Sequence, residues 1–299
     1  MKEYISIFLK GIAMGVANVI PGVSGGTIAL VTNIYERLIN SLKSFDIKAL
    51  RYLLSGDFKK LTSYVDLKFL STILLGTILS VFSIANLFKY LFENKPILIW
   101  AFFFGLILAS VYYVGKRIKN WNIINIMIFV FGCLIAISIS FLNPANENSN
   151  IFFILLCGII GVSGMLLPGL SGSFILIMLG NYELILVTSV IEFNIKILTV
   201  FCLGSILGLL GFSHVIAWLL KYHKDKTLSI LCGFILGSLY IVWPWKEIKE
   251  SILINGDEKI LSYSWILPNN LDIETISAIF LILLGIFVIH LLENTGKKK

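Results

Sequence analysis

Seven stretches of this 299-residue chain carry no charged side chain and approach or exceed the ~20 residues an α-helix needs to cross a bilayer. They run from Gly11 to Tyr35, Phe69 to Phe88, Ile97 to Gly115, Asn120 to Asn146, Asn148 to Tyr182, Ile197 to Leu220 and Thr227 to Trp245. An eighth, Thr275 to Leu292, is slightly shorter. The stretches are apolar throughout, without the alternation of a membrane-barrel strand, so the chain reads as helical and polytopic. With 58% hydrophobic and 14% charged residues and a mean hydropathy of +0.93, a soluble globule is excluded.

The first run follows Met1-Lys2-Glu3 as a signal peptide would, but Pro21-Gly22 sits where cleavage would fall and no small-x-small site precedes it. It is expected to be retained. Cys133, Cys157, Cys202 and Cys232 all lie inside apolar runs without a CxxC pair or an associated histidine, which makes them packing residues. They outline no metal-ligand set, and no cofactor is called for. The net charge of +7 does not indicate nucleic acid, because the basic residues sit in short loops between spans, where they set membrane orientation.

The chain also repeats itself. Pro21-Gly22-Val23-Ser24-Gly25-Gly26-Thr27, with Tyr35-Glu36 downstream, returns 147 residues later as Pro168-Gly169-Leu170-Ser171-Gly172-Ser173-Phe174 with Tyr182-Glu183. A second echo, at an offset of 128, sets Gly105 to Tyr112 against Gly233 to Tyr240 and Gly76 to Leu79 against Gly204 to Leu207. Each half reads as a Pro-Gly-interrupted, re-entrant helical hairpin followed by three transmembrane helices. Residues 1–146 hold a hairpin at 4–42, an interfacial segment at 44–68 and spans at 69–91, 96–115 and 122–142. Residues 147–299 hold a hairpin at 152–191 and spans at 197–220, 227–244 and 274–293. Within each hairpin the second arm is read as one helix, 24–42 or 171–191.

A hairpin that returns to its own side plus three crossings is an odd number, which turns the second half over. The fold expected is therefore an all-α polytopic membrane protein of two inverted-topology repeats. With the N-terminus in the cytoplasm, 17 Lys and Arg residues fall inside and 6 outside, so both termini are placed inside. Segment 44–68 mixes Phe45, Ile47, Leu50 and Phe58 with Lys48, Arg51, Lys59 and Lys60, as an interfacial helix or a solvated loop would. The outer loop from Trp245 to Glu274, with six acids against three lysines, reads as a surface cap.

A helix that stops at Pro-Gly and restarts at Ser exposes backbone groups at membrane depth, which is tolerated only in a cavity or inside protein. The restarting helix offers free N–H groups, a Ser cap and the positive end of its dipole. Gly25, Gly26 and Gly172 let an anion approach the backbone, and Ser24, Thr27, Ser171 and Ser173 add hydroxyls. Phosphate suits such a site. Two helix ends supply about +0.5 each against roughly −1.5 to −2 on a phosphate monoester, so a proton, a metal ion or a basic side chain must share the site. Lys10, Arg37 and Lys196 are the basic candidates. Glu36 and Glu183 are either interfacial acids beside a tyrosine or part of proton coupling, and His214 and His290 read as packed or interfacial residues. The competing structural reading of Pro-Gly, a packing kink, is weakened by two matching copies.

The doubled Pro-Gly-x-Ser-Gly motif with Tyr-Glu downstream resembles the bacterial polyprenyl-phosphate transporter family, and the resemblance covers nearly the whole chain. It implies flipping of undecaprenyl phosphate from the outer to the inner leaflet of the bacterial cytoplasmic membrane for carrier-lipid recycling. Pro21, Gly22, Ser24, Gly25, Gly26, Thr27, Pro168, Gly169, Ser171, Gly172 and Ser173 are the implied headgroup residues. The implied partners are the lipid substrate and membrane lipids, and the charge shortfall adds a coupling proton or sodium ion. Asn33 departs from the pattern, since its partner Gly180 carries the glycine expected there. Undecaprenyl-pyrophosphate phosphatases also carry Pro-Gly-x-Ser, continued by Arg and Ser and joined by a Glu-x-x-x-Glu pair. Here Gly25 and Gly172 occupy the arginine position and no such pair exists, so phosphoryl chemistry lacks its clamp and acid/base pair. A channel or transporter for a small inorganic anion is the other reading.

Overall fold

In the computed structural model, which describes residues 2–18, 24–142, 145–254, 257–268 and 270–297, glycines set where the long helices cross. Helix α1 (Lys2–Asn18) lies on α6 (Leu67–Asn94) at Gly11, where a Cβ would run into the carbonyl of Ile73. The matched Gly158 brings α9 (Ile151–Leu166) onto α12 (Ile195–Tyr222) against the carbonyl of Phe201. Small residues at a crossing let helix backbones approach, which is how helices associate where lipid removes the hydrophobic drive.

The other two large pairings exchange helices between the halves. Helix α7 (Pro96–Gly115) packs on α14 (Ile273–Lys297), and α8 (Ile123–Ile139) packs on α13 (Lys224–Val242). Gly105 and Gly233, matched in the sequence repeat, sit at these two crossings against the carbonyls of Ile282 and Phe129.

Side chains such as Phe82, Phe131, Ile206 and Phe280 project outward, as lipid-facing residues do. Among the described residues, Leu67–Ile84, Pro96–Gly115, Ile195–Tyr222, Lys224–Val242 and Ile273–Glu293 are long and apolar enough to cross a membrane. Ile123–Ile139 and Ile151–Leu166 are apolar but shorter. The protein is a helical, polytopic membrane protein.

Two details differ from the sequence reading. The arm read as one helix over 24–42 is two, α2 (Gly25–Val31) and α3 (Tyr35–Lys43). Its counterpart is likewise divided, into α10 (Gly172–Met178), a π-helical turn at Leu184–Thr188 and α11 (Ser189–Ile191). Both breaks are Schellman caps. Asn33 (φ 63°) donates to Leu30 and Ile34 to Ala29, while Gly180 (φ 72°) donates to Ile177 and Asn181 to Leu176. Asparagine tolerates the left-handed conformation, so Asn33 reproduces what glycine does at 180.

The second difference is that the loop between α13 and α14, read from the sequence as an outer cap, contains a two-stranded antiparallel sheet, β1 (Lys246–Ile254) paired with β2 (Asp257–Trp265). Segment 44–68 forms two short helices, α4 (Ile47–Leu54) and α5 (Phe58–Tyr64), capped by Asp46 and Asp57. Ile47, Leu54 and Phe58 on them are exposed, the pattern of helices resting on a membrane surface.

Candidate functional site

The two Pro-Gly-x-Ser-Gly segments touch. The amide of Gly169 donates to the Thr27 hydroxyl at 3.0 Å, a bond between positions 142 residues apart. Gly169 has φ 85° and lies so close to α13 that a Cβ would sit 2.6 Å from the backbone of Phe234. Gly172 packs as closely on α9, against the carbonyl of Gly161. Glycine is required at both positions by the neighbouring backbone.

The first segment also completes the end of α9. The Ser24 hydroxyl donates to the Met165 carbonyl at 3.4 Å, and the Tyr35 hydroxyl donates to the Leu166 carbonyl at 2.8 Å. Both carbonyls belong to the last turn of α9, where a helix has no backbone partners of its own.

Free amides are what the sequence leads one to expect at these tips; at the first tip those of Gly25 and Gly26 are engaged, whereas Ser171 makes no side-chain cap bond at the second. Asn18 Oδ1 accepts from the Gly25 amide at 2.7 Å, and Ser24 Oγ accepts from the Gly26 amide at 3.1 Å. Ser171 and Ser173 hydroxyls bond each other at 2.7 Å. Ser24 and Thr27 are each 1% exposed, and Pro168, Gly169, Ser171 and Gly172 are buried. Pro21 and Gly22 lie outside the described residues. The short α2 and α10, each 7 residues, hold their N-termini inside the protein in this conformation.

The expected charge partners are placed elsewhere. Lys10 is buried and its Nζ donates to the carbonyl of Thr32 at 2.9 Å, at the C-terminal end of α2. Arg37 pairs with Asp66 at 2.6 Å and Glu3 at 3.0 Å and lies over the ring of Phe69. Glu36 pairs with Lys224 at 2.5 Å. Glu183 and Lys196 are both exposed.

The polar cavity lies at the other end of α2. A basin of about 680 Å³ is lined by Tyr35, Lys116, Arg117, Lys119, Lys224 and Glu293, among others. Asn33 and Glu36 also face it. Four cations against two carboxylates make it a place for an anion. Arg117 donates through both terminal nitrogens to the carbonyls of Leu30 and Val31, so it closes the C-terminal end of α2 from within the basin. Burial draws the Arg117 guanidinium below its ordinary value, against the opposing pull of Glu293 and Glu36. Seven residues of α2 span about 10 Å, the distance from this basin to the Ser24 tip.

At the matched break in the second half the covering is different. The amide of Ala145 donates to Met178 at 2.9 Å, and Asn148 and Asn181 exchange two hydrogen bonds at 2.9 and 2.8 Å. Backbone and asparagine side chain from 145–148 close over Gly180 and Asn181, where charged side chains surround Asn33.

Sequence reasoning missed Asn18, Arg117, Glu293 and the Asn148–Asn181 pair. Lys116, Arg117 and Lys119 were legible as a basic cluster, but counted only toward orientation. Nothing local marks Glu293, which is 5% exposed at the end of an apolar span.

Residues 14–259 match the sequence profile of the VCA0040-like, undecaprenyl phosphate translocase-like family. The chain belongs to that family. Its relatives include the polyprenyl-phosphate transporter of Vibrio cholerae, 39% identical over 245 residues, which covers 82% of this chain and 79% of that one. The polyprenyl-phosphate transporter of Staphylococcus aureus is 34% identical over 260 residues, 81% of this chain and 87% of its own. No solved structure matches the chain.

Proposed function

We propose that this protein moves polyprenyl phosphate across the bacterial cytoplasmic membrane, with both termini in the cytoplasm. The phosphate headgroup passes between two inverted repeats whose Pro-Gly-x-Ser-Gly tips form the narrow point of the path, while the polyprenyl tail stays in lipid. The observation that carries this reading is the Thr27–Gly169 hydrogen bond, which joins the two motifs at one place. The names of the relatives supply the substrate class.

The exchange of helices supports inverted repeats, because α7 on α14 and α13 on α8 are the same pairing seen from each half. Under that symmetry the basin beside Asn33 and the covered break at Gly180 are equivalent places on opposite sides of the membrane. One is open and the other closed, as alternating access requires. In the opposite state the Asn148–Asn181 closure opens and the basin collapses around Tyr35. Opening of the tips releases the amides of Gly25, Gly26 and Gly169 from Asn18, Ser24 and Thr27 and offers them to the phosphate. The remaining negative charge calls for a coupled cation, a proton or sodium ion, while the headgroup sits at the tips and has not reached the lysines and Arg117.

Leaflet exchange of a fluorescent polyprenyl phosphate in proteoliposomes tests this function. The expected result is protein-dependent exchange that Ser24→Ala combined with Ser171→Ala slows at least tenfold, and that responds to a proton or sodium gradient. Exchange unchanged in the double variant removes the assigned path. Movement of inorganic phosphate or chloride without movement of the lipid replaces the function with that of a small-anion transporter.

A further inference from the structure

The basin does not end at its lysines. Tyr113 lines it, and the same residue lines a second cavity of about 440 Å³ that runs along the seam between α7 and α14. The walls of that groove are Leu108, Ala109 and Tyr112 from α7 and Leu283, Ile286 and Phe287 from α14. Leu108, Tyr112, Leu283 and Phe287 are exposed on the outside of the helix bundle, so the groove faces the hydrocarbon of the membrane. From Leu108 to Tyr113 it extends about 8 Å along α7 at 1.5 Å per residue.

At the join, polar and apolar chemistry change over within one helical turn. The Tyr113 hydroxyl bonds His290 Nδ1, which holds the tyrosine ring between the two spaces. The Lys116 ammonium lies 4.5 Å from the centroid of Tyr112, so a cation of the basin rests on a side chain of the groove. An anionic group beside Lys116 therefore stands at the mouth of an apolar channel. A free inorganic anion would use only half of this arrangement, whereas an amphiphile with one anionic head and a single flexible chain would use both parts.

We propose that basin and groove form one site for a lipid phosphate on the cytoplasmic side, where outer-to-inner transport delivers it. Its head lies against Lys116, Arg117 and Lys119, and its first isoprene units lie along the α7–α14 seam, with Tyr113 at the join. The proposal rests on the transport reading above and adds to it a site on the cytoplasmic side of the Pro-Gly-x-Ser-Gly tips. The lysines hold the arriving phosphate at the cytoplasmic surface, the groove holds the tail without taking it out of hydrocarbon, and Tyr35 separates the bound head from the tips about 10 Å further in. Lipid-facing grooves are open to any acyl chain, and the adjoining cations select the occupant with a phosphate monoester head.

The test uses the full chain in lipid nanodiscs and farnesyl phosphate carrying a diazirine on its terminal isoprene unit. After photolysis, label is expected on residues 108–113 or 283–290. Leu283→Trp, a change at an exposed position, should lower labelling about tenfold, and Lys116→Gln with Lys119→Gln should raise the half-saturating concentration about tenfold. Farnesyl phosphate should displace the probe at least tenfold better than inorganic phosphate or farnesol.

Label located elsewhere, with leaflet exchange of polyprenyl phosphate intact, overturns this site and leaves the transport reading standing. Inorganic phosphate competing as well as farnesyl phosphate overturns the tail groove. Loss of both labelling and leaflet exchange in the unsubstituted protein overturns both. Labelling that Leu283→Trp does not change, with the same melting temperature, also refutes the groove.

Discussion

The Tyr35 hydroxyl donates to the carbonyl of Leu166 at 2.8 Å, so the end of a helix in the second half of the chain is finished by a side chain from the first. Tyr35 also lines the basin, and at 1% exposure it fills the space between the basin and the buried motif tips. Tyr35→Phe keeps the ring and removes the donor, which leaves a buried carbonyl unsatisfied. A loss of about 1–3 kcal/mol is expected, read as a lower melting temperature in detergent. Leaflet exchange should fall further than stability alone accounts for, because the same bond ties the basin floor to the tips.

Asn33 holds a left-handed conformation that glycine adopts freely and branched residues adopt at a cost. Asn33→Gly should leave the melting temperature within a degree or two of the parent, or raise it. Asn33→Val should lower stability by about 1–3 kcal/mol. Equal melting temperatures for the two variants would show that this cap does not hold α2 and α3 in place.

At the α1–α6 crossing, Gly11→Val forces a side chain into the carbonyl of Ile73. Overpacking of this kind costs about 1–3 kcal/mol, and no flexible side chain is available to yield. Monodisperse yield after size-exclusion chromatography should drop sharply. A change at Gly211, where an added Cβ meets open space, is the matched control and should leave it unaltered.

Asn148 and Asn181 close the end of the molecule opposite the basin in the proposed alternating cycle. Asn181→Leu removes both bonds of the pair while keeping bulk. Hydrogen exchange at the Asn148 amide should quicken at least tenfold. An unchanged rate would mean that the cover over Gly180 is held by something other than this pair.

Lys246 stands over the ring of Trp100 at 3.8 Å and donates to the carbonyl of Ile241, and burial pulls its ammonium down to about 8. The folded chain therefore holds this proton less tightly than the unfolded chain does. Between about pH 8 and the ordinary lysine value of 10.5 the unfolded state carries more protons, so stability rises with pH across that window. Melting temperatures of the parent relative to Lys246→Met should climb from pH 8 to pH 10. A flat difference would contradict it.

The helical class and most of the span positions were legible because apolar runs of this length leave a chain little choice. The doubled motif was legible too, since identity at Pro, Gly and Ser survives at a fixed offset. What escaped the sequence is mostly non-local. The bonds from Tyr35 to Leu166 and from Thr27 to Gly169 cross more than a hundred residues, and no periodicity reports them. The break at Asn33 was passed over because the apolar run continues on both sides of it, although asparagine opposite Gly180 is itself a left-handed cap signal. Arg117 was hidden for another reason: a loop arginine beside two lysines reads as a topology signal, and its reach back to Leu30 and Val31 depends on where α2 ends.

Because α7 rests on α14 and α8 on α13, neither half owns a finished set of helix partners. During synthesis α7 is made well before α14, so the contact at Gly105 forms only once α14 has been inserted. Insertion and assembly are thus separate events in this protein, and a truncation that removes only the final span strips a helix laid down more than 150 residues earlier of its main support.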